Sequence, residues 1–252
     1  MKLFDLTGKT ALVTGGSRGL GKGIAEGLCQ AGAQVCILSA SDAVFETEQE
    51  LRSLGYRCCA VKCDISEDTQ LRQGFREALR LLGGRLDILV NNAGIQRRHK
   101  CEEFPLSDFD EVLNVNLRAV FTLCQLAGRE MLKQGYGKII NIASMLSFFG
   151  GYTVPAYAAS KGGVAQLTKA LSNEWAGRGI CVNAIAPGYM ATEMNTKLIQ
   201  DEKRNTEILG RIPAGRWGNP EDMQGIAVFL ASSASDYVHG AVIPVDGGYL
   251  GR

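Results

Sequence analysis

Thr10-Ala11-Leu12-Val13-Thr14-Gly15-Gly16-Ser17-Arg18-Gly19-Leu20-Gly21 is the stretch on which the fold turns. Thr10 to Val13 is a short apolar run of strand type, and a glycine-rich turn follows it. Ile24, Leu28 and neighbouring alanines then continue at helical spacing. A strand, a glycine turn and a helix in that order cradle the pyrophosphate of a dinucleotide. The glycines remove Cβ obstruction, and the helix N-terminus offers free N–H groups with partial positive charge. The spacing is G-x-x-x-G-x-G rather than the commoner G-x-G-x-x-G. Glycine clusters also close plain turns; the strand before and the helix after favour the cofactor reading.

Further strand candidates are Gln34 to Leu38, Arg57 to Cys63, Leu86 to Val90, Lys138 to Ile142, Ile180 to Ile185 and Ala241 to Val245, with helical patterns between them. Alternation of this kind predicts an α/β fold: a doubly wound, seven-stranded parallel sheet of Rossmann type with helices on both faces. No composition shift, repeat or low-complexity linker divides the 252 residues, so one domain spanning residues 1–252 is expected. The longest connection runs from Thr192 to Asp236.

Ligands of such sheets bind beyond the carboxyl ends of the strands. Ser39-Ala40-Ser41-Asp42, Asp64-Ile65, Asn91-Asn92-Ala93-Gly94, Ala143-Ser144-Met145 and Pro187-Gly188-Tyr189-Met190-Ala191-Thr192 all fall there. Asp64 either reaches an adenine or caps the helix that follows. Tyr157-Ala158-Ala159-Ser160-Lys161 places a phenol and an ammonium on one helix face, with Val164, Thr168, Leu171 and Trp175 on the same stripe. A phenol ordinarily ionises near pH 10; a neighbouring ammonium brings it towards useful acid–base chemistry. The opposite face, Ala158, Ala159, Gly162, Gly163 and Ala165, is small enough for another helix to approach closely.

A net charge of +1, with 46% hydrophobic and 21% charged residues, describes an ordinary globular chain and points away from nucleic acid and acidic membrane surfaces. The first residues hold no signal-peptide core, and no later run is long enough to span a bilayer. A cytoplasmic location is therefore expected. The eight cysteines read as reduced small hydrophobes, and His99 and His239 are the only histidines, so no metal site is expected.

Together Thr14-Gly15 with Gly19 and Gly21, Asn91 to Gly94, Asn116 in Asn-Val-Asn-Leu, Ser144, Tyr157 with Lys161, and Pro187-Gly188 resemble the single-domain branch of the short-chain dehydrogenase/reductases, in the family's order over nearly the whole chain. The resemblance implies NAD(P)-dependent hydride transfer with Asn116, Ser144, Tyr157 and Lys161 as the catalytic set. Tyr157 would exchange the proton, and Lys161 would lower its pKa and hold the nicotinamide ribose. Ser144 would bind the reacting oxygen, and Asn116 would support a water-linked proton path. For Asn116, helix hydrogen bonding is the competing reading. The implied cofactor contacts begin with Thr14, Gly15, Ser17, Arg18, Gly19, Leu20 and Gly21. They continue with Ser39, Asp64, Ile65, Asn91, Ala93 and Gly94, and end with Tyr157, Lys161, Pro187, Gly188, Met190 and Thr192. Ser39 stands where an acid would select NAD, with no arginine after it, which leans towards NAD without excluding NADP; Arg18 could meet a 2′-phosphate.

A narrower likeness, in Ile139 to Phe148, Asn183 to Thr192 and Arg211 to Gly218, is to dehydrogenases of 2-deoxy-D-gluconate and 2-dehydro-3-deoxy-D-gluconate. Gly94 to Arg98 and Thr192-Glu193-Met194 also look like gluconate 5-dehydrogenases. A six-carbon keto or hydroxy sugar acid is the substrate class this implies, met by Gln96, Arg97, Arg98, Ser144, Met145, Tyr157 and Met194 under a lid at about residues 190–215. Guanidinium suits a carboxylate, although Arg97 and Arg98 also read as a solvated basic loop with Lys100. A 3-oxoacyl-acyl-carrier-protein-type reductase and a non-catalytic cofactor-binding sensor are the competing functions. Members of this branch commonly form homotetramers through the Tyr157 helix and the one before it. The C-terminal Gly247 to Leu250 segment could join another contact.

Overall fold

A computed structural model describes residues 2–252. Seven parallel strands are present: β1 (Thr10–Thr14), β2 (Gln34–Ser39), β3 (Cys58–Lys62), β4 (Ile88–Asn91), β5 (Gly137–Ile142), β6 (Ile180–Pro187) and β7 (Val242–Val245). They lie in the order β3-β2-β1-β4-β5-β6-β7, so the chain reverses direction across the sheet between β1 and β4. That reversal opens the crevice in which doubly wound sheets take ligands. Strands covered on both faces read as continuous apolar runs, and β1, β5 and β6 are buried at every position. The sheet stops at β7, where Pro244 has no N–H to offer a further strand.

Helices α1 (Gly19–Gln30), α2 (Ala43–Ser53) and α9 (Gln224–Ala231) cover one face through Ile24, Leu28, Val44, Leu51, Ala227 and Leu230. On the other lie α3 (Asp68–Leu81), α5 (Ala119–Gln134) and α6 (Pro155–Trp175), with α4 (Leu106–Leu113) packed on α6. Pro155 opens α6, where its missing N–H costs nothing. Lys161, Val164, Thr168 and Leu171 bury their stripe against the sheet, as the spacing predicts. The small face is used in part within the chain: a Cβ on Gly163 would lie 2.9 Å from the Leu117 side chain, whereas one on Gly162 would meet nothing.

The sequence gives no warning of two features. Asn114–Arg118, between α4 and α5, is a π-helical turn, a distortion found mostly at functional sites. Thr153, just before α6, is the one non-glycine residue with positive φ (64°) among the described residues, a strained conformation for a β-branched side chain. The long connection carries α7 (Thr196–Gln200) and α8 (Glu202–Leu209), which sit on a third apolar cluster of Met145, Ile208, Ile212 and Tyr249. Tyr249 is thus buried against Ile208 and Ile212 of its own chain. No helix among the described residues is long and apolar enough to cross a membrane.

Candidate active site

The glycine turn is held open by its neighbours rather than by itself. Thr14 is buried, and its hydroxyl accepts from the N–H groups of Asn92 and Ala93, both at 3.0 Å. Asn92 answers by donating to the Thr14 and Gly15 carbonyls at 2.9 and 3.2 Å. These bonds fasten the end of β1 to the end of β4. Gly15 (φ 64°) fits only without a Cβ, which would stand 2.8 Å from the Asn92 amide. Arg18 is the extended N-cap of α1 and makes no capping bond. Among the described residues no protein acceptor meets the N–H groups of Gly19, Leu20 and Gly21. A helix start with three free donors fits a pyrophosphate.

Several expected cofactor residues have other partners. The Thr14 side chain joins two strands, as just described. Asn91 turns into the sheet, donating to Asn141 Oδ1 at 2.9 Å, and its Oδ1 is the one buried side-chain polar atom without a partner among the described residues. Asp64 accepts from the Ser66 N–H at 2.9 Å, closing a turn one residue before Glu67, the N-cap of α3. Met190 is buried and bridges to Gly218, rooting the start of the connection after β6. Arg18 pairs with Glu193 at 2.7 Å, and Thr192 rests over Gly19, 3.6 Å from where a Cβ would stand. The hydroxyls of Ser17 and Ser39 hydrogen-bond at 2.9 Å, and Asp42, the nearest acid after β2, is taken by Lys62 at 2.9 Å. The β2 end therefore presents hydroxyls and no free carboxylate.

The four residues expected to act together, Asn116, Ser144, Tyr157 and Lys161, lie close to one another. Lys161 is buried and donates to the Ile142 carbonyl at 2.6 Å, with its Nζ 5.7 Å from the centre of the Tyr157 ring. Burial brings the Lys161 ammonium down to about 8. Burial also raises the Tyr157 phenol; the neighbouring Ser144 hydroxyl and the positive field of Arg98 oppose the rise. The sequence reading gives that lowering role to Lys161. Its Nζ, 5.7 Å from the ring centre, keeps a positive charge beside the phenol while it bonds the Ile142 carbonyl. Asn116 lies in the π turn and is fully engaged: Oδ1 accepts from Ile95 N–H at 2.8 Å, and Nδ2 donates to the Ile95 carbonyl at 2.9 Å and Ser160 Oγ at 3.2 Å. It thereby shapes the loop after β4. A Cβ on Gly94 would lie 3.8 Å from Lys161 Nζ, so the glycine leaves room beside the ammonium.

On the substrate side the two arginines part. Arg97 pairs with Glu111 of α4 at 2.8 Å, whereas Arg98 donates to Gln96 Oε1 at 3.2 Å and acts on both Tyr157 and Tyr189. Met145 is buried beside Ile208 and Ile212, and Met194 is about half exposed. Residues that sequence reasoning did not single out complete the wall. Tyr189 stands edge-on to Trp217 and Tyr249, each 5.4 Å away, and Trp217 donates to Asn205 of α8 at 2.8 Å. Tyr189 follows Pro187-Gly188, so its place after β6 was the available signal.

A parallel sheet with a dinucleotide cradle at its switch point and a Tyr–Ser–Lys cluster at the same edge defines a nicotinamide-dependent oxidoreductase acting on CH–OH groups. The chain belongs to the short-chain dehydrogenase/reductase family. A family profile described as Enoyl-(Acyl carrier protein) reductase matches residues 15–250. The chain is 53% identical to the 2-dehydro-3-deoxy-D-gluconate 5-dehydrogenase of Bacillus subtilis (strain 168), over 99% of this chain and 97% of that one. A crystal structure from Agrobacterium tumefaciens, assigned provisionally as a gluconate dehydrogenase, superposes with a TM-score of 0.97 at 45% identity over the full length of both. The gluconate 5-dehydrogenase of Burkholderia cenocepacia J2315, in complex with NADP and tartrate, gives 0.95 at 41% identity, covering 100% of this chain and 98% of that one.

Proposed function

We propose that this protein interconverts a hydroxyl and a keto group on a six-carbon sugar acid, the reaction of 2-dehydro-3-deoxy-D-gluconate 5-dehydrogenase being the first choice. The observation that carries this is the grouping of Tyr157, Ser144 and Lys161 at the sheet edge that bears the glycine turn, in a chain 53% identical to a 2-dehydro-3-deoxy-D-gluconate 5-dehydrogenase; Arg98, whose positive field reaches the phenol, is the candidate for the carboxylate. The tartrate held by the Burkholderia cenocepacia enzyme, a hydroxylated carboxylate, supports it. Gluconate 5-dehydrogenase is the second reading, favoured by the name of the Burkholderia cenocepacia structure. The bound nicotinamide supplies or accepts the hydride. Tyr157 gives its proton to the substrate oxygen in reduction and takes it back in oxidation. Ser144 donates to that oxygen, and Lys161 holds the ribose hydroxyls and the ammonium charge near the phenol. Asn116 fixes the Ile95 peptide and keeps the loop after β4 clear of the nicotinamide.

Initial rates over a panel of six-carbon keto sugar acids, each with NADH and with NADPH, test the assignment. Absence of turnover with every acid sinks it. The same panel reads the cofactor: hydroxyls at Ser17 and Ser39, with Arg18 alongside, suit either a ribose hydroxyl or a 2′-phosphate. Arg98→Ala is expected to lower kcat/KM for the sugar acid about 10²-fold, the scale of losing a charge-assisted carboxylate contact. Arg97→Ala, already paired with Glu111, should stay within about threefold of wild type. Equal effects at both positions would remove Arg98 from its role.

We place the lid at residues 190–215, where α7 and α8 lie over Met145. A homotetramer is the proposed assembly. Phe121 is 45% exposed on α5 beside Leu117 and Leu167, and Gly162 of α6 is open, an apolar shelf suited to a second copy. Light scattering should report a tetramer for the wild type and a smaller species for Phe121→Arg. An unchanged mass for the variant would argue for another interface. The eight free cysteines, most of them buried, fit a cytoplasmic home.

A further inference from the structure

The Ser144 turn and the helix carrying Tyr157 and Lys161 belong to separate stretches of chain, and one hydroxyl joins them. Ser147 Oγ donates to the Lys161 carbonyl at 2.7 Å and accepts from the Ser144 backbone N–H at 3.3 Å. Ser147 touches neither the phenol nor the ammonium, yet both its partners are residues of the catalytic set. Lys161 is consequently gripped at two ends: Nζ donates to the Ile142 carbonyl at 2.6 Å, and the main-chain carbonyl takes the Ser147 proton.

The chemistry of these partners separates positioning from general stability. The Lys161 carbonyl lies inside α6, where a helical N–H already uses one of its two lone pairs. Ser147 supplies a second donor to an acceptor that the helix satisfies without it. Its removal leaves no orphaned helix carbonyl, and the one donor it frees, the Ser144 N–H, is held by a long 3.3 Å bond, so a modest loss to folding is expected. What the bond does fix is the separation between the Ser144 turn and α6. The Ser144 side chain oxygen is aimed by the same turn, accepting from Leu146 N–H at 3.1 Å, which leaves its proton free to point at the reacting oxygen.

We propose that Ser147 is a positioning residue, locking the Ser144 turn against the Lys161 segment of α6 so that the Ser144 and Tyr157 hydroxyls meet the same substrate oxygen. This rests on the roles proposed above for Ser144 and Tyr157. Misplacing a donor by about 1 Å in such a constellation costs up to about 10²-fold in rate.

Ser147→Ala should lower kcat about 10- to 100-fold with the sugar acid best used by the wild type. The dissociation constant of NAD(P)H should stay within about twofold, because the glycine turn is elsewhere. A cofactor deuterated at the transferred position should show a larger isotope effect in the variant, since the chemical step becomes slower. Ser147→Thr, which keeps the hydroxyl, should recover most of the rate. A second arm needs no substrate: near-ultraviolet difference titration, with Tyr157→Phe subtracted, should show the Tyr157 phenol ionising at higher pH in Ser147→Ala as the Ser144 hydroxyl moves away from it. Two results overturn the proposal: kcat within about twofold of wild type together with an unmoved phenol titration, or parallel losses of kcat, cofactor affinity and thermal stability, which mark a merely structural residue. Full turnover in Tyr157→Phe would instead overturn the underlying mechanism, and is read separately.

Discussion

Tyr157→Phe is expected to cut turnover by about 10²–10⁴-fold, the range that positioned acid–base groups contribute. The substitution removes one oxygen and keeps the ring. The helix stripe, the Lys161–Ile142 bond at 2.6 Å and the glycine cradle should therefore be undisturbed. Cofactor affinity, read by quenching of protein fluorescence, is expected to stay within about twofold, and the loss should fall on kcat and kcat/KM alike. Burial raises the phenol, so at neutral pH the group is held protonated, ready to give its proton to a carbonyl in the reductive direction. Oxidation needs the opposite charge state and should gain with rising pH. A variant that keeps more than half the wild-type turnover would show that the proton comes from elsewhere.

Lys161→Met should cost a comparable factor, about 10²–10³-fold, and it carries a pH signature with opposite signs for activity and stability. The folded-state lysine is held near 8, below the ordinary 10.5. Between these values the unfolded chain binds more protons than the folded one, so this group makes stability rise as pH climbs from about 8 to about 10.5. Below about 8 both states are protonated, the slope vanishes, and keeping a buried ammonium costs folding roughly 3 kcal/mol. Activity in the reductive direction runs the other way, because the working ammonium is lost as pH passes about 8. Thermal unfolding and kcat, each followed across pH 7–11, should show both limbs in the wild type and neither in Lys161→Met. The slopes are the readout; the absolute melting temperature also reflects the Ile142 carbonyl left without its donor. A persisting activity limb in the variant would assign it to another group.

These effects follow from side chains whose identity is plain in the sequence and whose partners are not. Seven strands fell within a residue or two of their expected bounds, because parallel strands buried on both faces announce themselves as apolar runs. The Tyr157–Lys161 stripe was equally legible, since helical spacing alone decides which residues share a face. Thr14 and Asn91, by contrast, look like cofactor contacts in a glycine-bearing motif. The fold spends Thr14 on the Asn92 and Ala93 peptides and Asn91 on Asn141. Nothing local reveals those choices, because each partner sits on a different strand.

What the amino-acid order determined here was the alternation of strands and helices, the glycine turn at the first crossover and the pairing of a phenol with an ammonium one turn on. Each depends on periods of a few residues and on backbone sterics. Tertiary structure alone decided that Arg98 rather than Arg97 acts on Tyr157, that Arg18 reaches Glu193 across 175 residues, and that Ser147 ties two catalytic stretches together. Such contacts are selected by where packed layers bring distant side chains within about 3 Å, a distance that no local pattern encodes.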